Sequence, residues 1–264
     1  MNAATVQSLW IGGRLSTMER LSAASFVAHG HPYHLYTYGG VEGAPPGVEV
    51  RDAAEVLPED AVFANTKKGI GEGGFAGFSD WFRYELLSQR GGWWVDTDVV
   101  CVRPFTFDRP SVVATSREGK WGTLALGCVL RLPPGDPLLA FCLDVCRTQD
   151  IVAMVEKSYP AVGPHLLQRG IREHGLQAYE VGPDVFCPIN WRHVRYLWEP
   201  PPARLVYNLK RTIKGGEKVG RITTETRGVH LWSGGWGQGG ADRDATYARS
   251  SLYETLKQRY LPDG

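Results

Sequence analysis

The sequence predicts an α/β fold, and three observations carry the prediction. Short apolar, β-branched or aromatic runs alternate with segments of helical spacing, glycine or proline punctuates many of the junctions, and no repeat or low-complexity tract breaks the alternation. A hydrophobic fraction of 43% against 22% charged residues is ordinary globular material, and 264 residues are read as one domain spanning 1–264.

In chain order, "SLWI" (8–11) reads as a first strand and 17–29 as a helix ended by Gly30. "YHLYTY" (33–38) alternates like a second strand closed by Gly39 and Gly40. "GIGEGGFAG" (69–77) lacks the Gly-Lys-Ser/Thr ending of a phosphate loop and reads as a flexible connection. It enters a helix over 79–90, with Ser79 as N-cap and Gly91 just past the end. That helix feeds the strand "WWVDTD" (93–98) directly. Beyond Pro104, strands are expected at 111–115 and 125–131 and helices at about 136–147, 164–174 and 244–260. The basic, glycine-containing stretch 209–221 reads as a mobile solvated loop.

Composition excludes several classes. A net charge of +1 is not that of an electrostatic nucleic-acid binder. No signal-peptide pattern opens the chain, and no run approaches the ~20 apolar residues of a membrane helix. The cysteines at 101, 128, 142, 146 and 187 are odd in number and lack paired zinc spacing; Cys142 and Cys146 share a helical face and read as packing. A soluble, cytoplasmic protein is expected.

The chemistry concentrates in "GGWWVDTDVV" (91–100). On a regular strand Asp96 and Asp98 point the same way, and two neighbouring anions on an apolar strand call for a cation. Asp-x-Asp at a strand end suits a hard divalent ion, Mn²⁺ or Mg²⁺. Asp80 and Arg83 lie three apart, so on a helix they share a face. Trp10, Gly12 and Gly13 end the first strand, where open α/β sheets bind nucleotides; an indole there can stack on a base, and glycines admit close approach. Tyr36 and Tyr38 either line that pocket or fill the core. In "HLWSGGW" (230–236), His230 is a candidate nitrogen ligand to Mn²⁺, Ser233 is a second candidate ligand, and Trp232 and Trp236 suggest a loop closing over a ligand.

Taken together, "FSDWFRYELLSQRGGWWVDTDVVCVRPF" (78–105) resembles the DXD-containing sugar-transferase region shared by retaining alpha-mannosyl- and alpha-galactosyltransferases and, distantly, by clostridial glucosylating toxins. The similarity covers about 8–40 and 78–105, with weaker echoes at "GPHLL" (163–167) and "HLWSGGW". The resemblance implies a GT-A (Rossmann-like) fold: a mixed central sheet flanked by helices. It also implies a nucleotide-sugar donor, UDP by preference, with retained anomeric configuration. It divides the chain into a donor-binding half (1–105) and an acceptor-side half (106–264) with a donor-closing C-terminal segment. By the same resemblance Asp98 binds metal directly, Asp96 reaches the ribose and metal region, and Asp80 and Arg83 grip the donor sugar. Tyr84 packs or contributes, and Asp184 and Asn190 are lesser cleft candidates. The family's Asn-containing segment is replaced here by "ALGCVLR" (125–131), so contacts there do not carry over. The acceptor is unidentified: glycan, lipid, small molecule or protein. The alternatives are a dehalogenase-type phosphatase with Asp96 as nucleophile, and a binding module for nucleotide sugars that has no chemistry.

Overall fold

The computed structural model describes residues 4–68, 72–119 and 122–262. The first three residues of the 69–77 loop lie outside the described residues. A six-stranded mixed sheet runs in the order β3-β2-β1-β4-β7-β6, comprising β1 (Val6–Trp10), β2 (Tyr33–Thr37), β3 (Val48–Asp52), β4 (Trp93–Val95), β6 (Val112–Arg117) and β7 (Thr123–Arg131). The pairs β1–β2, β2–β3 and β1–β4 are parallel, whereas β7 is antiparallel to both β4 and β6. The chain leaves β1 toward β2 and β3, then returns to β4 on the other side. That reversal makes β1/β4 the topological switch point, where open α/β sheets carry their ligand crevice.

Helices cover both faces, as expected from the sequence. Helix α1 (Thr17–Ala28) starts in a capping box: Ser16 accepts from the Met18 amide, and Glu19 accepts from the Ser16 amide. Helices α2 (Ala76–Arg90), α3 (Pro137–Thr148), α4 (Ile151–Lys157) and α5 (Pro164–Glu173) accompany the sheet's other face. Strand β4 shows the layering. Trp93 and Val95 join one core cluster with Phe26 and Phe105, while Trp94 joins the opposite cluster with Phe82. A central strand buried on both faces reads as an unbroken apolar run.

Several boundaries differ from expectation. Helix α2 begins three residues before Ser79, with Phe75 at its N-cap; Ser79 sits one turn inside, where its carbonyl and hydroxyl accept from Arg83 at 3.1 Å each. Strand β4 ends at Val95, and 96–98 form a turn closed by the Val99 amide on the Asp96 carbonyl at 3.0 Å, with Asp96 also donating its amide to Cys128 O at 2.9 Å. The chain then enters β5 (Val99–Cys101), which pairs with β8 (Gly228–His230) in a separate two-stranded sheet. Asp96 and Asp98 are therefore turn residues. Strand β3 escaped notice because it is an edge strand whose Glu49 and Arg51 blunt its apolar signal.

The expected loop at 209–221 is helical in its first part. Helix α6 (Pro201–Lys214) runs into it, and Asn208 exchanges hydrogen bonds with Val219 beyond the Gly215–Gly216 turn. The last helix, α7 (Leu252–Tyr260), is about half the expected length, because Ser251 caps it and Asp242 and Asp244 hold the preceding residues in turns. Among the described residues no helix is long and apolar enough to cross a membrane.

Candidate active site

Helix α2 delivers Asp80 and Arg83 to the C-terminal end of β4. Their side chains are almost fully buried, with Arg83 Nη1 at 3.1 Å from Asp80 Oδ1 and Nη2 at 3.3 Å from Asp96 Oδ1. The Arg83 guanidinium also lies 4.9 Å from the Trp94 ring centroid, and the Trp94 indole donates to Asp96 Oδ1 at 2.9 Å. Both bonds fall on Oδ1, leaving Asp96 Oδ2 without a partner among the described residues. Burial, opposed by Arg83 and reinforced by Asp96, pushes the Asp80 carboxyl up to about 6.

Strand pairing brings in the second half of the site. Register places Val99 opposite His230, so His230 lands beside Asp98, with Nε2 at 3.2 Å from Asp98 Oδ1. Trp232 adopts a left-handed conformation (φ 57°), rare for an aromatic residue. The reversal aims the amides on either side of it at one residue: Leu231 donates to Asp98 O at 2.8 Å, and Ser233 donates to Asp98 Oδ2 at 2.7 Å. The indole is fixed by its bond to Ile189 O at 2.7 Å and by stacking on His230 at 4.0 Å. Burial alone would raise Asp98, but His230 and the Ser233 bonds outweigh it and hold the carboxyl below the usual range. Burial alone would likewise lower His230, and the Asp98 charge reverses that, holding the imidazole well above its ordinary value.

Asp96, Asp98 and His230 bring ligand atoms within 4.8 Å of one another. Two carboxylates and an imidazole, one of them with an open oxygen, are a donor set that fits Mn²⁺. Behind His230, Cys187 Sγ lies 4.0 Å from Nδ1 and 3.9 Å from Cys128 Sγ. Burial pushes the Cys128 thiol far up, so it packs here as a protonated thiol.

The structure brings Asp80, Arg83, Asp96, Asp98, His230 and Ser233 together. Trp10, at the end of β1, is half-buried with its Nε1 donor lacking a protein partner, and Gly12 (φ 154°) turns beneath that indole. Gly13 is exposed and accepts from the Glu42 amide at 2.8 Å. Six candidate residues lie elsewhere. Tyr36 is fully buried against Phe82, and Tyr38 packs on Phe78 with its hydroxyl on Leu57 O, so both belong to the core. Trp236 is buried among Trp198, Tyr247 and Tyr253, with its indole on Leu231 O; it supports the 231–233 turn from behind. Tyr84 is core, with its hydroxyl on Val162 O. Asp184 pairs with Arg117 at 2.6 Å, and Asn190 caps a short 3₁₀ helix and bonds Arg117 O, so both brace that corner.

Three residues at the site had little signal in the sequence. A Cβ at Gly127 on β7 would overlap Arg83 Nη1, and one at Gly163, before α5, would lie 2.8 Å from Asp80 Cγ. Both glycines therefore leave room for the buried pair. Burial, with Asp80, Asp96 and Asp98 nearby, pushes the Tyr159 phenol up to about 12. The only hints were a glycine inside the strand "ALGCVLR" and the Gly-Pro entering α5.

No family model and no curated protein matches the chain. Among solved structures it is similar to the PaToxG glycosyltransferase, at 14% identity over 67% of this chain and 72% of that one, TM-score 0.46. It is also similar to a transferase mutant with two cysteines changed to serine, at 9% identity over 69% of this chain and 92% of that one, TM-score 0.41. At these levels the site is read from its own residues.

Proposed function

We propose that the chain is a metal-dependent, retaining glycosyltransferase of GT-A type that moves a hexose from a nucleotide-sugar donor, UDP-linked by preference, to an acceptor hydroxyl. The observation that supports this most is the convergence of Asp96, Asp98 and His230 beside the buried Asp80–Arg83 pair at the β1/β4 switch point.

In this reading Asp96, Asp98 and His230 would hold a divalent ion, which would supply charge neutralisation for the diphosphate leaving group. Arg83, with two carboxylates and an indole fixing its plane, presents a pre-oriented cation to donor oxygens, so no reorganisation is needed as negative charge develops there. Asp80 accepts hydrogen bonds from sugar hydroxyls. Trp10 offers its indole to the base, and Gly12 and Gly13 admit the nucleotide to the backbone. The acceptor hydroxyl attacks the anomeric carbon as the bond to the diphosphate oxygen breaks, and its proton passes to a donor phosphate oxygen.

The test is thermal or chemical unfolding with UDP, with and without Mn²⁺. UDP at 100 times its Kd should add about 2.7 kcal/mol in Mn²⁺ and little in EDTA, where the diphosphate faces two carboxylates unscreened. Slow release of sugar from a UDP-sugar, with retained configuration at the anomeric carbon, should accompany it. Binding without any turnover across a broad acceptor panel would point to the binding module instead. Robust hydrolysis of a simple phosphate ester, lost in Asp96→Asn, would replace the proposal with a phosphatase.

A further inference from the structure

Helix α6 turns its apolar stripe away from the protein. Its inner side is defined by Tyr207, which stacks on Tyr196 and bonds His193 at 3.2 Å, and by Asn208, which bonds Val219. On the opposite side Leu205 is 64% exposed, Val206 53%, Leu209 64% and Ile213 77%. At 100° per residue these four fall within one stripe about 100° wide. Trp191, 48% exposed, lies in the 3₁₀ segment that packs beside the helix. Apart from Val50 and Val152, all the large apolar side chains described as exposed fall in this segment.

The charges around the stripe are of one sign. Lys210 and Lys214 lie beyond one edge, Arg204 turns to the inner side beside Glu199 and Leu252, and 201–214 contains no aspartate or glutamate. Neither lysine makes an ion pair among the described residues. An apolar stripe bordered by unpaired cations is complementary to an anionic phospholipid surface, where acyl chains take the leucines and headgroup phosphates take the lysines. A second copy fits less well, because antiparallel two-fold pairing of the stripe would bring the two lysine edges together.

We propose that α6 docks this protein on an anionic membrane surface, with Leu205, Val206, Leu209 and Ile213 entering the interface and Lys210 and Lys214 at headgroup phosphates. This binding is independent of the transferase reading and of any divalent ion, so it is testable in EDTA.

The full chain should co-sediment with phosphatidylglycerol-containing vesicles at low salt, weaken as salt rises, and bind pure phosphatidylcholine far less. Leu209→Glu with Ile213→Glu should abolish binding. Lys210→Ala with Lys214→Ala should weaken it about five-fold per lysine removed, and these two exposed positions should leave the melting temperature unchanged. The lysine variant decides the matter if the glutamate variant does not fold. Failure of wild type to bind anionic vesicles, equal binding to both vesicle types, or wild-type binding by folded variants would overturn the proposal. So would a lipid-free dimer that Leu209→Glu dissociates, which would assign the stripe to a second copy.

Discussion

His230 touches two environments, with Nε2 on Asp98 and Nδ1 toward the Cys187 thiol. Deleting it leaves the buried Asp98 carboxylate with the Ser233 amide alone, and breaking a buried pair costs about 3–5 kcal/mol. His230→Ala should therefore destabilise the metal-free protein by that order in urea unfolding and also raise the Mn²⁺ needed for UDP binding. Stability and ligation are not separable at this residue. Restoring stability with Asp98→Asn on top of His230→Ala would identify the stranded charge as the cause. Asp80 gives a pH signature. Its folded pKa of about 6 exceeds the ordinary carboxylate value of 3.8, so the folded state holds the proton more tightly. That contribution is fully present below about pH 4 and is lost as pH rises through about 6. Asp80→Asn cannot titrate. Between pH 4 and 7 in EDTA, wild type should lose on the order of 3 kcal/mol relative to this variant, and parallel stability curves would show that Asp80 ionises normally. Arg83→Lys keeps the charge but loses the planar fork that reaches Asp80 and Asp96 together; donor turnover should fall at least ten-fold while the fold survives.

At the scale of elements, the site depends on how closely β7 approaches α2. Gly127 and Gly163 allow that approach, so a methyl group at either presses on Arg83 or Asp80 rather than on solvent. Gly127→Ala should cost about 1–3 kcal/mol in unfolding free energy by overpacking and weaken UDP binding in Mn²⁺ more than ten-fold. Gly182→Ala, which meets nothing within 4 Å, is the matched control and should change neither. Unaltered UDP affinity in Gly127→Ala would mean that the guanidinium position does not matter for the donor.

Across the whole molecule, the two halves of the sequence share one sheet. Strand β4 of the first half pairs with β7 of the second along Trp93–Val95, and β5 pairs with β8 in the small sheet that positions His230. A fragment of residues 1–105 would expose the β4 edge together with Trp93 and Trp94, which are buried in the full chain. It should fail to give a cooperative thermal transition alone and should regain one when mixed with 106–264 during refolding. Independent cooperative melting of the 1–105 fragment would instead make the halves separate folding units.

By itself the sequence determined the α/β class, the cores of most of the main-sheet strands and central helices, and the Asp80–Arg83–Asp96–Asp98 set. These rest on local information: periodicity, caps, and residues close enough in the chain that one helix and one strand fix their spacing. Only the tertiary structure decided the rest. The pairing of β5 with β8 joins Asp98 to His230, 132 positions apart in sequence, and no local pattern records that register. Tyr36, Tyr38 and Trp236 carry the same side-chain chemistry whether they stack on a ligand or fill a core, and packing against Phe82, Phe78 and Tyr253 is what assigns them. Gly127 and Gly163 act through the space they leave, which exists only once β7, α2 and α5 have met.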